Sequence, residues 1–144
     1  MKTWVVVASA ARARIFDRSS TQGPLAEQAD LLNPEDRLLQ QEIVSDRPGS
    51  ATNRQGGQRH GMEPRANPKE IQAGRFAAEV VDWLEAHHRS KDFDQLYLVA
   101  APHFLGLLRN RMSQGLSDTV MAESDKDLTH ERADHLAHHL QAIF

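Results

Sequence analysis

Arginine and glycine are concentrated in one stretch of the sequence, residues 45–67. Residues 46–69 hold five basic side chains against two acids, a net charge of +3 in a chain whose total is −3. No hydrophobic period runs through the stretch, which predicts a flexible loop. Guanidinium groups bind phosphate through paired hydrogen bonds, and each contact with a nucleic acid releases counterions. The residues expected to contact RNA or the ribosome are Arg47, Arg54, Gly56, Gly57, Gln58, Arg59, His60 and Arg65. The alternative is a solvated loop that tolerates sequence change.

A second polar run, residues 125–130, lies between the predicted last strand and the last helix. Open α/β sheets bind ligands where strands end and helices begin, so the run is a candidate cleft. The alternative is a turn in which Asp127 or Thr129 caps the helix. A histidine that follows Pro102, at another strand-to-helix corner, is expected to face the same cleft. The cleft candidates are His103, Asp125, Lys126, Asp127, Thr129 and His130.

Histidines His135 and His139 are four residues apart on the predicted last helix, with Glu131 one turn earlier. This spacing is found at zinc sites, but spacing alone is a weak motif, and we expect a solvated helix face. The chain has no cysteine, so thiolate metal sites and disulfides are excluded. We predict no metal and no cofactor.

The elements that position these residues begin with three strands at residues 4–9, 12–17 and 25–32. They form an antiparallel meander, in which the second strand is expected to have one solvent-facing side. The third strand would offer an edge for pairing in a homodimer.

Asparagine and proline mark two helix starts, at Asn33-Pro34 and Asn67-Pro68. A strand at residues 95–101 and a helix opened by Pro102 and closed by Gly115 follow. A strand at 120–123 and a helix capped by Thr129 complete the chain. Inward positions of the two long helices are Ala73, Phe76, Ala77, Val80, Leu84, Leu136, Leu140 and Ile143.

This order predicts an α/β fold with a ribonuclease H-like mixed sheet of about five strands, in which the meander is extended by parallel strands and helices flank the sheet. Ribonuclease H chemistry needs carboxylates on the first and fourth strands to hold divalent ions. Residues 1–16 and 96–101 contain no acid. We therefore expect a binding protein rather than a nuclease, and more generally not an enzyme.

With 144 residues the chain is expected to form a single domain, 1–144. No export signal and no apolar run of about 20 residues is present, which predicts a cytoplasmic location and no membrane partner. The absence of cysteine agrees with a reducing compartment.

Six short motifs occur in order at residues 3–8, 11–14, 44–49, 56–60, 104–109 and 125–129. Together they resemble the bacterial family described as "protein required for attachment to host cells". Gln58 departs from the small residue that the family loop usually carries. The resemblance implies an indirect role in attachment, and it implies no reaction.

The predicted architecture is also similar to the middle domain of eukaryotic and archaeal class I peptide release factors. In that domain a Gly-Gly-Gln tripeptide, on a loop before a long helix, helps position water on the peptidyl-tRNA ester. Gly56-Gly57-Gln58 lies in the equivalent connection. The resemblance implies an alternative function, peptidyl-tRNA hydrolysis or ribosome rescue, with Gln58 as the catalytic residue.

Overall fold

The computed structural model describes residues 2–18, 23–36 and 67–144, and the structural statements below concern these residues. Five strands form one sheet in the order β3-β2-β1-β4-β5. The first three are antiparallel neighbours, and β4 and β5 run parallel to β1. The predicted mixed five-stranded sheet is confirmed. The strands are β1 (Thr3–Ala8), β2 (Arg12–Arg18), β3 (Leu25–Leu32), β4 (Gln95–Ala100) and β5 (Val120–Ser124).

Helices flank this sheet, as predicted. Helical backbone begins at Pro34 and is described to residue 36. Four complete helices follow, and the longest starts at the expected cap, where the backbone N–H of Glu70 donates to Asn67 Oδ1 at 2.8 Å. The four are α1 (Pro68–Arg89), α2 (Pro102–Arg111), α3 (Gln114–Ser117) and α4 (Ala133–Ile143).

The central strands β1, β2 and β4 bury side chains on both faces of the sheet, since successive side chains on a strand point to opposite sides. On one face the even-numbered residues of β1 and β4 pack against α1, α2 and α3. On the other face a smaller cluster packs against α4; its buried members are Val5, Val7, Phe16, Val99, Leu136 and Leu140. The five predicted inward positions of α1 are all buried. On α4, Leu136 and Leu140 are buried and Ile143 is partly buried.

The prediction of a solvent-facing side on β2 is wrong. Arg14 and Arg18 project on that side, and both are buried because the chain around α4 covers it. Their guanidinium groups lie over aromatic rings, Arg14 over Phe16 at 5.1 Å and Arg18 over Tyr97 at 5.4 Å. The alternation of charged and apolar residues along β2 therefore did not mark a solvent-facing side, because the long aliphatic part of an arginine side chain packs like an apolar chain.

Two predicted helix boundaries are also wrong. Gly115 does not close α2, which ends at Arg111; it lies inside α3, whose first turn is capped by the Ser113 hydroxyl. Thr129 does not cap α4, which begins at Ala133 after Arg132. α2 ends where the backbone N–H of Met112 donates to the carbonyls of Leu108 and Arg109, and the cap position of α4, Arg132, makes no side-chain hydrogen bond to its helix.

Candidate functional site

Two helices begin at the edge of the sheet where the parallel strands β1 and β4 end. α1 starts at Pro68 and α2 at Pro102. Between them lies an open cavity of about 370 Å³. Backbone N–H groups in the first turn of a helix lack intrahelical partners, so such an edge favours negative charge. The cavity is lined by Ala10, Asn67, Lys69, Glu70, Ala73 and His103.

One histidine–carboxylate pair joins the two helix starts across this cavity. His103 Nε2 lies 2.6 Å from Glu70 Oε1, although the two residues are 33 apart in sequence. The cap position of α2 is Ala101, which makes no side-chain hydrogen bond to the helix. The first turn of α2 therefore has no side-chain acceptor at its cap, and His103 is the polar group that faces the cavity there.

A buried polar network lies next to the cavity. Asn33 Nδ2 donates to the carbonyl of Ala10 at 2.9 Å and to Gln72 Oε1 at 2.6 Å. Gln72 Nε2 in turn donates to Asp36 Oδ1 at 3.1 Å. The network ties the β1–β2 turn to both helices that border residues 37–66. Sequence reasoning interpreted Asn33 only as a cap and missed Gln72, since nothing in the sequence marks a buried glutamine on an apolar stripe.

The polar run at residues 125–130 does not share this cavity. Thr129 is fully buried, and both its backbone N–H and its hydroxyl donate to Asp127 Oδ1, at 3.1 Å and 2.7 Å. Arg14 Nη1 donates to the carbonyl of Thr129 at 3.4 Å and also to that of Glu131. This segment is an anchor between β2 and α4. Of the predicted cleft residues, His103 lines the first cavity, whereas Asp125, Lys126, Asp127 and His130 are exposed and are not among its lining residues.

A second cavity, of about 380 Å³, lies at the other end of β1. Its wall contains a packed aromatic group: the rings of Trp4 and Trp83 are 5.7 Å apart, and those of Trp83 and His87 are 4.0 Å apart. His87 Nδ1 lies 2.6 Å from Asp92 Oδ2. Sequence reasoning missed this cavity because its residues come from four separate elements and their connections. They are Lys2, Trp4, Asp17, Gln28, Trp83, His87 and Asp92.

Two of the three histidines of α4 lie near one carboxylate. Glu131 Oε1 lies 3.8 Å from His135 Nδ1 and 3.4 Å from His139 Nε2, on side chains that are partly to largely exposed. Within the three described ranges, no group of three or more histidines and carboxylates has the geometry to hold a metal ion.

The predicted RNA-contacting residues, from Arg47 to Arg65, all lie outside the described residues. This includes Gly56, Gly57 and Gln58, so the structure does not test the release-factor alternative. What is described is the point where that segment meets the body of the protein, Asn67, which is part of the first cavity.

Taken together, the strand order and the flanking helices define an α/β protein with a mixed five-stranded sheet and one cavity at each end of its first strand. A family model described as "Protein required for attachment to host cells" matches residues 4–140. The chain belongs to this family. No curated protein matches it. Among the helices of the described part, none is long and apolar enough to cross a bilayer.

Proposed function

We propose that this protein is a non-enzymatic binding protein that acts in the cytoplasm and supports attachment to host cells indirectly, through contact with RNA, alone or in the ribosome. The basic segment 45–67 makes the contact, and the cavity at the start of α1 extends it. The observation that carries the proposal is the position of Asn67, where the basic segment enters α1 beside an open cavity lined by Lys69 and His103.

Charge supports a phosphate-bearing partner. The whole chain has a net charge of −3, whereas residues 46–69 contribute +3. A partner attracted to the protein by its total charge would be cationic, so an anionic partner must be attracted locally. Phosphate is drawn to arginine and lysine clusters and to the first turns of helices. The basic segment joins the described chain at Asn67, beside the cavity between the two helix starts.

The cavity itself suits a single phosphate group at the margin of a larger contact. Lys69 is exposed, and His103 is two thirds exposed, so both can reach a ligand outside the cavity. Glu70 is the opposing charge in the lining, and its Oε1 is already engaged with His103 Nε2 at 2.6 Å. An RNA phosphate would therefore meet Lys69 and the helix start without facing a free carboxylate at that point.

The side chains at the carboxyl ends of the parallel strands favour binding over catalysis. The carboxyl ends of β1 and β4 carry buried apolar side chains, Val7, Ala8, Val99 and Ala100. These positions offer no general acid or base to a substrate at that edge. The polar side chains around the first cavity are instead exposed or engaged in the Asn33 and Glu70 hydrogen bonds.

The salt dependence of RNA binding tests this proposal. We expect the protein to bind a single-stranded RNA at low salt and the affinity to fall steeply as salt rises. Replacing Arg47, Arg54, Arg59 and Arg65 together by glutamine should reduce the slope of log K against log salt by about 3, because each phosphate that an arginine neutralises releases about 0.7 counterions from a single strand.

A matched variant controls for total charge. It replaces Arg75, Arg89, Arg111 and Arg132, four exposed arginines outside the basic segment, by glutamine. The charge change is identical, so the salt slope should stay at its original value if the segment makes the contact. The proposal fails if both variants flatten the slope equally, or if the original protein binds no RNA at low salt.

A further inference from the structure

We propose that the second cavity is a binding site for a compact organic cation of the ammonium or guanidinium class. It lies at the amino-terminal end of β1, at the opposite end of that strand from the first cavity, and it shares no lining residue with it. The inference is therefore independent of RNA binding. Three properties of the lining lead to it: a fixed aromatic wall, a carboxylate without a partner among the described residues, and an excess of negative charge.

The aromatic wall is closely packed and partly open. Trp4 is buried, with 5% of its surface exposed, and it packs between Trp83 at 5.7 Å and Phe93 at 5.0 Å. Trp83 is only partly buried, so some of its ring surface remains available to a ligand. Indole rings attract cations through the negative potential of their faces, more strongly than phenyl rings do. Because these rings are already packed against one another, a cation can bind to them without a loss of side-chain freedom.

Asp17 supplies the carboxylate that has no partner among the described residues. It lies directly opposite Trp4 in the antiparallel pairing of β1 and β2, which places the two side chains next to each other on one face of the sheet. It is partly buried, and over the described ranges its carboxylate has no hydrogen-bond or ion-pair partner. The guanidinium of the next residue, Arg18, lies on the opposite face over Tyr97. A carboxylate that loses part of its hydration without gaining a partner favours a cationic ligand.

The remaining charges also favour a cation. The lining holds two carboxylates, Asp17 and Asp92, against one ammonium, Lys2. Asp92 is engaged with His87 at 2.6 Å, and the Lys2 backbone N–H donates to a third carboxylate, Asp94, at 2.8 Å. The Lys2 side chain is exposed on a flexible stem, so an incoming cation can displace it into solvent. A neutral ligand would leave the Asp17 carboxylate without a counter-ion.

Tryptophan fluorescence gives a direct assay, since both tryptophans of the chain line this cavity. We would titrate the protein with tetramethylammonium chloride and, separately, with N-acetyl-arginine amide, each against sodium chloride at equal ionic strength. The expected result is a saturable fluorescence change with at least one of the two cations, and none with tert-butanol, a neutral molecule of similar shape to tetramethylammonium. Tighter binding of tetramethylammonium would indicate a free quaternary amine, and tighter binding of the arginine amide a side chain of a partner protein.

Two variants and one control decide whether the cation occupies this cavity. Asp17→Asn should weaken binding about tenfold, because it removes the counter-charge and keeps the shape. Asp82→Asn removes an exposed carboxylate on the outer side of α1 and should leave affinity unchanged. Trp83→Leu should abolish the saturable change, and Trp4 still reports on the cavity in that variant. The proposal is overturned if neither cation gives a saturable change, or if Asp17→Asn binds as tightly as the original protein.

Discussion

Thr129 and Asp134 show at the scale of single residues how burial decides what a hydrogen bond contributes to folding. Thr129 is fully buried, and its hydroxyl donates to Asp127 Oδ1 at 2.7 Å. Asp134 is exposed and accepts from Arg132 Nη2 at 3.0 Å. Water replaces the second bond easily, whereas the donor of the first bond is buried away from water. Loss of the first bond should therefore lower the free energy of unfolding clearly, whereas loss of the second should be observed mainly as a change in the proton affinity of a carboxyl group.

For the buried bond, Thr129→Val keeps the volume and removes the donor. We expect it to lower the free energy of unfolding by about 1 kcal/mol, the usual net value of such a bond. Urea denaturation measures the difference. Lys126→Ala, in the same segment and exposed, should stay within about 0.5 kcal/mol of the original protein. A Thr129→Val variant as stable as the original would mean that this hydroxyl does not anchor the segment.

For the exposed bond, the pKa of the Asp134 carboxyl is lowered from its ordinary value, first by the hydrogen bond from Arg132. A carboxyl whose pKa is lower in the folded state stabilises that state above its unfolded pKa, and the contribution disappears as the pH falls through the folded pKa. Arg132→Gln should return the pKa of Asp134 toward the ordinary value, as measured by NMR titration of the carboxyl carbon. Arg111→Gln, at a separate ion pair, should leave the Asp134 titration unchanged.

At the scale of elements, the apolar period predicted the helices and strands well, and cap chemistry predicted their ends poorly. The stripe along α1 and the bounds of β3 were correct because burial on one face leaves a regular pattern. Thr129 and Gly115 misled because a threonine or glycine near a helix end fits several local structures. The Glu70–His103 pair and the cavity around Trp83 could not be predicted, since each joins residues that only the folded chain brings together.

Arg14 is the residue that connects β2 to the segment before α4. Its guanidinium donates to two backbone carbonyls, those of Thr129 and Glu131, and pairs with Glu27 Oε2 at 3.5 Å. Arg14→Lys keeps the charge but cannot reach three acceptors from one planar group. We expect the free energy of unfolding to fall by about 2 kcal/mol, within the range for hydrogen bonds to charged groups.

Amide hydrogen exchange should show where the Arg14→Lys variant opens. Protection should fall more in α4, for example at the Leu136 amide that donates to Arg132, than in the middle of α1. The matched control is Arg75→Lys, at an exposed pair with Glu35, which should leave both helices protected. An equal drop of protection in α1 and α4 would contradict a local role for Arg14.

At the scale of the whole molecule, the sheet connects two apolar layers that do not touch. Alternate residues of one strand serve each layer: Trp4 and Val6 pack under the helices α1 and α2, and Val5 and Val7 pack under α4. A layer of six buried side chains is too small to be stable alone. Because both layers share the backbone of β1 and β4, neither can unfold without removing the support of the other. The described residues should then unfold in one cooperative transition.

Leu136→Ala tests this coupling, because it damages one layer and can be observed from the other. Leu136 is fully buried in the α4 layer, so its truncation should cost about 3 kcal/mol. Both tryptophans lie on the opposite face, where the mutation makes no contact. If the sheet couples the layers, the urea midpoint followed by tryptophan fluorescence should fall as far as the midpoint followed by far-ultraviolet circular dichroism. Leu84→Ala, in the tryptophan layer, gives the matched comparison and should lower both midpoints together. A fluorescence midpoint that stays at its original value in Leu136→Ala would show instead that α4 unfolds from an intact sheet, because in that case the tryptophan environment would not depend on the far layer.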